Sequence, residues 1–308
     1  NIVSIACMLW MTPYVATVGH ALSWGVTISG VMQLGLLMMA VRRGGMSLQI
    51  PRPRMTPQMR LLMRRMAPGL VGAGVTQLNL TVDVIIASLL PPGTVSVLYF
   101  ADRVQQLPMG VIGTAVGTAL LPLLSRQVRA GEANSAVGTL NRAIEYGLFL
   151  TLPAALALIV CAYPIIFVLF GRGAFGAESV LFSSQSLAAY ALGLPAFVLV
   201  KVLAPAFFAR GDTSMPVKIG VGCVVLNLAM NLAFMIPLAH IGPALATSLA
   251  AICNVVGLAF VLGRRGHFAP DHQLRRRCAG MVGASVIMAL ALWGLRILLF
   301  QTPPHGWM

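Results

Sequence analysis

Apolar blocks recur along the whole chain, and this repetition limits the fold more than any other feature. Each block has about 20 residues, enough for a helix to cross a hydrocarbon core of ~30 Å. The alternating strands of about ten residues that are typical of an outer-membrane barrel are absent from the sequence. We therefore predict an all-α, polytopic helical membrane protein with about nine transmembrane helices. The predicted spans are residues 1–12, 20–41, 66–90, 94–122, 142–170, 184–208, 215–238, 241–263 and 278–300.

Composition and motifs agree with this class. The chain is 58% hydrophobic and 9% charged, with a mean hydropathy of +0.88. It opens inside an apolar run and ends soon after another one, so we expect it to be a fragment of a longer, transporter-sized protein. It carries no H-E-x-x-H, G-x-S-x-G or P-loop motif, and we do not expect an enzyme. The 5 cysteines form no C-x-x-C pair, so we expect them to be packing residues.

The formal net charge of +14 is distributed unevenly. Of the 21 basic residues, 17 lie in alternate connections between the predicted spans, at 42–65, 126–142, 210–218 and 264–277. This asymmetry follows the positive-inside rule and places those connections in the cytoplasm. A basic belt that orients the protein explains the charge better than a nucleic-acid surface, so we expect no nucleic-acid partner.

Two charged residues stand side by side in the apolar run LYFADRVQQLPMG (98–110). An ionisable group at membrane depth is costly and normally faces a water-filled cavity or a partner. Adjacent residues of a helix do not face each other, so we expect no tight Asp102–Arg103 pair. We expect Arg103 to face a polar cavity and Asp102 to bond a neighbouring helix. The alternative is that Arg103 forms a salt bridge between helices and binds no ligand.

Further along this span, Gly113-x-x-x-Gly117 predicts the close approach of another helix. Lys201 is a second cation deep within a predicted span.

A second polar set comes from separate spans. Asp83 is a deep carboxylate, while Asn227 and Asn231 are spaced i,i+4 and share a helix face. Thr247 lies one turn after Pro243. Carboxylate, amide and hydroxyl oxygens, completed by a backbone carbonyl, suit a hard monovalent cation such as sodium. The alternative is an interhelical hydrogen-bond network around a neutral Asp83.

Two longer segments resemble one known family. LYFADRVQQLPMGVIGTAVGTALLPLLSRQ (98–127) and KVLAPAFFARGDTSMPVKIG (201–220) are similar to characteristic segments of the MurJ/MviN lipid II flippases. These flippases belong to the multidrug/oligosaccharidyl-lipid/polysaccharide (MOP) exporter superfamily, and the resemblance extends over the entire chain. It implies two six-helix lobes and two further helices, of which the chain holds a fragment. That fragment would comprise the last two N-lobe helices (1–41), a basic cytoplasmic linker (42–65), the six-helix C-lobe (66–263), a basic cytoplasmic loop (264–277) and the penultimate helix (278–308).

The resemblance also implies a function. Such a protein would flip lipid II, the undecaprenyl-diphosphate-linked peptidoglycan precursor, across the bacterial inner membrane by alternating access. Arg103 of the A-D-R motif would contact the substrate, with Ser96, Asp102 and Gln106 nearby; the last position is often acidic in relatives. The implied sodium site comprises Asp83, Asn227, Asn231, Pro243 through its carbonyl, and Thr247. Asn231 is acidic in some relatives, which implies a lower charge here.

Other partners and functions follow from the same reasoning. We expect no required cofactor, with sodium as a candidate ion, and we expect a monomer that contacts membrane lipid and lipid II. One alternative is an exporter of another lipid-linked oligosaccharide, or a cation-coupled drug antiporter of the same superfamily. Another is a membrane scaffold that binds lipid-linked precursors without moving them.

Overall fold

A computed structural model describes residues 2–15, 17–45, 55–57, 59–60, 63, 74, 77 and 81–299. Regular structure within these ranges is helical and includes no strand, which confirms the predicted all-α class. The other residues of the predicted third span (66–80), most of the basic linker 42–65 and the C-terminal residues 300–308 lie outside the described residues.

Ten α-helices are found in the described ranges, and 6 are long and apolar enough to cross a membrane by length and composition. In chain order they are α1 (Ile2–Met11), α2 (Val18–Arg43), α3 (residues 81–88), α4 (Thr94–Arg129), α5 (Ala133–Val160), α6 (Ala162–Phe170), α7 (Ala177–Phe208), α8 (Ser214–Phe234), α9 (Gly242–Arg264) and α10 (His272–Leu299).

The chain divides into two compact units, Asn1–Leu61 and Leu62–Met308. In the first unit, α2 packs against α1 at Gly25. A Cβ added at Gly25 would lie 3.1 Å from the carbonyl oxygen of Ser4, so only glycine fits this contact without a shift. Helix α2 begins at a threonine cap, where the Thr17 side chain accepts from the His20 backbone N–H at 3.3 Å. The finer division of the chain at 66–263 and 264–277 stays a prediction.

Helix α7 is the central element of the second unit, packed against α4, α5 and α9. It approaches α9 closely at Gly193, where an added Cβ would lie 2.7 Å from the hydroxyl oxygen of Ser248. That buried hydroxyl donates to the Ala189 carbonyl at 2.7 Å, so a polar contact secures the crossing. Apolar side chains form one core cluster around Leu187 and Leu194 and another around Leu203 and Phe207.

The predicted span 142–170 is two helices, α5 and α6, rather than one. Pro164 lies four residues after Val160, and proline has no N–H to donate to the carbonyl at i−4, against which its ring also clashes. The Val160 carbonyl instead accepts from Nη1 of Arg296 in α10 at 2.9 Å. An arginine of a neighbouring helix thus satisfies the carbonyl that the proline leaves free.

The connections at the basic ends of the helices are held together by ion pairs. Arg142 contacts Glu145 and Asp271, and Arg277 also contacts Glu145. A further pair joins Arg265 Nη1 to Asp212 at 2.6 Å. These residues come from three of the connections predicted to be cytoplasmic, so the structure brings those segments together at one end of the second unit.

Candidate substrate and cation sites

Helix α4 carries a polar stripe on one face. Ser96, Tyr99, Arg103 and Gln106 recur at spacings of three and four residues, which places them on the same side of the helix. The first three are exposed and Gln106 is partly buried. The helix starts after Gly93, whose φ of +95° favours glycine and lets the chain turn sharply out of the Pro91–Pro92 connection.

Arg103 lies along this stripe between two neighbours from its own helix. Its guanidinium carbon is 4.7 Å from the centre of the Tyr99 ring, a cation–π distance. On the other side, Nη1 donates to Oε1 of Gln106 at 3.1 Å. The ion pairs of the described region do not include Arg103, so its salt bridge to another helix is not observed there. The guanidinium is held in place while remaining exposed.

Asp102 differs from the prediction. We expected it to bond a neighbouring helix, but its Oδ2 accepts from Nε2 of Gln106 on the same helix. Gln106 follows Asp102 by four residues and Arg103 by three, so one amide reaches both charged groups. The Gln106 amide therefore connects Asp102 and Arg103, which form no direct ion pair. The i,i+3 and i,i+4 spacings could have indicated this role from the sequence.

The residues of the predicted cation site come together between α3, α8 and α9. Asp83 Oδ1 accepts from Asn231 Nδ2 at 2.9 Å, and its Oδ2 accepts from the Thr247 hydroxyl at 3.1 Å. Asn227 Nδ2 donates to Thr247 Oγ1 at 3.3 Å, and Asn231 Nδ2 also donates to Asn227 Oδ1. Both asparagines are buried. Three helices thus contribute to one polar cluster, which the sequence spacing had grouped.

One oxygen of this cluster accepts no hydrogen bond from the described residues. Within the described region, Oδ1 of Asn231 is buried and accepts no hydrogen bond, whereas the nitrogen of the same amide donates twice. Pro243 is buried one turn before Thr247, and no hydrogen bond described here joins it to the other four residues. A buried carbonyl oxygen without a donor, beside a carboxylate, is a suitable arrangement for a cation ligand.

Lys201 is a deep cation to which sequence reasoning gave no role. It lies on α7 and is partly buried, and its side chain crosses α4 at Gly113. A Cβ added at Gly113 would lie 2.8 Å from Lys201 Cδ and 3.2 Å from Nζ. At Gly117 an added Cβ would lie 3.8 Å from the Lys201 carbonyl oxygen. The close approach predicted at Gly113-x-x-x-Gly117 is therefore observed, and its partner is Lys201.

These features define a class. A chain with several membrane-length helices, an exposed arginine on one helix and an acid, amide and hydroxyl cluster between helices belongs to the multi-pass helical membrane proteins. The family described as "Lipid II flippase MurJ" matches residues 1–303. The chain belongs to this family, as the sequence resemblance had predicted. The family is one of transporters and not of enzymes, and its members are multi-pass proteins of the inner membrane.

Curated relatives carry the same description. The chain is 44% identical over 276 residues to the "Probable lipid II flippase MurJ" of Rhizobium meliloti (strain 1021), covering 90% of the chain and 51% of the relative. It is 31% identical over 293 residues to the "Lipid II flippase MurJ" of Burkholderia cenocepacia, covering 94% and 57%. The chain therefore spans a little over half the length of these relatives.

Solved structures support the fold. A structure described as "Lipid II flippase MurJ, inward closed conformation" superposes with a TM-score of 0.77 at 23% identity, covering 99% of this chain and 61% of that one. An outward-facing multidrug resistance MATE family transporter of the MOP superfamily gives 0.55 at 18% identity, covering 77% and 54%. At these identities the similarity concerns the fold, and the fold alone does not determine the substrate.

Proposed function

We propose that the protein containing this chain flips lipid II from the inner to the outer leaflet of the inner membrane. The observation that supports this most directly is the exposed Arg103 guanidinium on a helix of the second unit, held by Tyr99 and Gln106. A permanent positive charge at this depth is costly unless an anion or water meets it. Family membership and the names of the relatives point to the diphosphate of lipid II as that anion.

The chemistry of the substrate fits this stripe. A diphosphate cannot enter hydrocarbon unpaired, whereas its polyprenyl tail can remain in lipid. The forked donors of arginine bind phosphate oxygens in pairs. Ser96 and Gln106 add neutral hydrogen-bonding groups to the face that presents Arg103. Rocking of one lobe against the other would then expose this face to each side of the membrane in turn.

Transport of labelled lipid II by the full-length protein in proteoliposomes tests this function. We expect Arg103→Ala to lower the initial rate by about tenfold or more, because a hydrogen bond to a charged group contributes about 1.5–3 kcal/mol. Arg103→Lys keeps the positive charge but loses the forked donors, so its initial rate should lie between those of the unmodified protein and Arg103→Ala. Arg129→Ala, at the other end of α4 and exposed, is the matched control. An unmodified protein that binds lipid II without moving it would instead support the scaffold alternative.

We also propose that the cluster around Asp83 binds sodium. Asp83, Asn227, Asn231 and Thr247 would hold the ion, and Pro243 would contribute its carbonyl, the group that proline retains. Bound sodium would supply a positive charge next to the partly buried carboxylate of Asp83. The oxygen of Asn231 that lacks a donor supports this assignment, since a rotation of that amide would present it to the ion.

Thermal unfolding of the purified protein tests sodium binding. A ligand that binds only the folded state stabilises it by RT ln(1 + [L]/Kd), about 2.7 kcal/mol at a hundredfold excess over Kd. We expect the melting temperature to rise with sodium chloride and not with choline chloride at equal ionic strength. Asp83→Asn should abolish the rise, whereas Asp102→Asn, a change of the other deep aspartate, should keep it. Equal responses to both salts would rule out the site.

A further inference from the structure

The ammonium of Lys201 is a charged group of the described region that has no assigned role. The residue lies seven positions before the end of α7, about 10 Å along the helix axis from that end. This end of α7 leads into the basic connection that contains Arg210. Lys201 is therefore a cation within the cytoplasmic half of a membrane-length helix, and the function proposed so far does not use it.

The side chain of Lys201 lies on the stripe that carries Arg103. Gln106 and Gly113 are seven residues apart, two turns of helix, so their Cβ directions nearly coincide. Lys201 Nζ lies 3.2 Å from the Cβ position of Gly113. The ammonium thus occupies the place where a side chain at position 113 would be, about 15 Å along α4 from Arg103.

Nothing in the described region neutralises this ammonium. The ion pairs there involve Arg142, Arg265 and Arg277, and no ion pair or side-chain hydrogen bond between described residues includes Lys201. Asp83 and Asp102, the deep carboxylates of this region, are engaged with Asn231, Thr247 and Gln106. A lysine at this depth without an acidic partner is a suitable position for an anion from outside the protein.

We propose that Lys201 forms a second phosphate-binding position on the α4 stripe, on the cytoplasmic side of Arg103. Its ligand is the phosphate of a diphosphate-linked polyprenyl lipid, so the proposal rests on the proposed function. Lysine binds phosphate as a point charge and arginine as a fork. The diphosphate would meet Lys201 first when it enters from the cytoplasm and would then pass to Arg103. Gly113 is the residue that leaves room for the lysine on this path.

Binding to the full-length protein in nanodiscs tests the position directly, with undecaprenyl diphosphate as the probe and undecaprenol and phosphatidylglycerol as comparisons. We expect Lys201→Met, which keeps the aliphatic stem, to weaken binding of the diphosphate about tenfold. Lys201→Arg should stay within about threefold of the unmodified protein. Lys218→Met, a change of an exposed lysine of α8, is the control. Unchanged diphosphate affinity in Lys201→Met, or an equal loss for phosphatidylglycerol, would overturn the proposal.

A double-mutant cycle tests whether Gly113 acts through Lys201. Gly113→Ala should weaken diphosphate binding, because its Cβ would meet Lys201 Cδ at 2.8 Å. In the Lys201→Ala background the same change should have no further effect. Gly110→Ala is the matched control, since an added Cβ there meets nothing within 4 Å. Independent effects of the two changes would contradict the proposal.

Failure of this inference and failure of the proposed function give different results. If the unmodified protein neither binds undecaprenyl diphosphate nor transports lipid II, the proposed function is wrong. If it does both, and Lys201→Met does both equally well, only the second position is wrong.

Discussion

At the scale of single residues, the amide of Asn231 is central to the sodium site proposed around Asp83. Its nitrogen donates to Asp83 Oδ1 and to Asn227, and its oxygen has no donor within the described region. An asparagine can present either atom to its surroundings. In the structure the nitrogen donates to the carboxylate, and in the proposed sodium-bound state the oxygen would coordinate the ion. One side chain can thus serve both states of the site.

Asn231→Asp tests this role. The change adds a second carboxylate beside Asp83 and removes both hydrogen bonds that the amide nitrogen donates. Two carboxylates in one buried site repel each other unless a cation lies between them. We therefore expect a lower melting temperature without sodium and a larger sodium-dependent rise than in the unmodified protein. Melting curves over a sodium titration measure both quantities.

A conservative exchange provides the control for this prediction. Thr247→Ser keeps the hydroxyl that donates to Asp83 and should leave the sodium response within a few degrees of the original. If Asn231→Asp instead loses the sodium response altogether, the second carboxylate does not contact the ion.

At the scale of helices, the GDTSMP segment (211–216) connects two membrane helices through Asp212. Asp212 Oδ1 accepts from the backbone N–H groups of Ser214 and Met215, at 3.2 and 3.0 Å, and so caps the start of α8. Its Oδ2 accepts from Arg265 at 2.6 Å, just beyond the end of α9. One carboxylate therefore joins the beginning of one membrane helix to the end of the next. The segment lies in one of the two stretches that resemble the family in sequence. These contacts give a physical reason for the aspartate at position 212.

Removal of this cap should be measurable. We expect Asp212→Ala to lower the free energy of unfolding by about 1 kcal/mol, the typical contribution of an N-cap. The hydrogen bond from Arg265 also lowers the pKa of Asp212 below its usual range. A depressed pKa stabilises the fold above the unfolded-state value, and this stabilisation is lost as the pH falls from about 4 through the folded-state pKa. Acid unfolding curves of the two proteins should therefore differ most at neutral pH and converge on acidification.

The sequence could predict which polar residues each helix contributes, because spacing and depth are properties of a single helix. The i,i+4 spacing of Asn227 and Asn231 and the depth of Asp83 indicated a shared cluster, and that cluster is present. The proline at position 164 could have indicated the break between α5 and α6, but the apolar run obscured it. The contact of Lys201 with Gly113 could not be predicted, because it depends on the register of α7 against α4, and no periodicity within one helix contains that register.

At the scale of the whole molecule, the buried carboxylate of Glu145 holds the basic end of the second unit together. It accepts from Arg142 on its own helix and from Arg277 of α10, and Arg142 continues the network to Asp271. Glu145 has 6% of its side chain exposed, whereas Arg277 has 52%. A carboxylate at the centre of cations thus fixes α10 against α5 at the face that the positive-inside rule places in the cytoplasm.

Glu145→Gln should therefore loosen α10 without altering the polar stripe on α4. We expect a loss of about 2 kcal/mol in the free energy of unfolding, less than for a fully buried pair because solvent screens the exposed arginines. The added exposure should be confined to α10, so hydrogen exchange should increase over residues 272–280 and remain unchanged over 98–110. Glu132→Gln, a change of an exposed glutamate in the neighbouring connection, should alter neither segment. Faster exchange throughout the second unit would instead mean that this charge cluster supports the whole core rather than the docking of one helix.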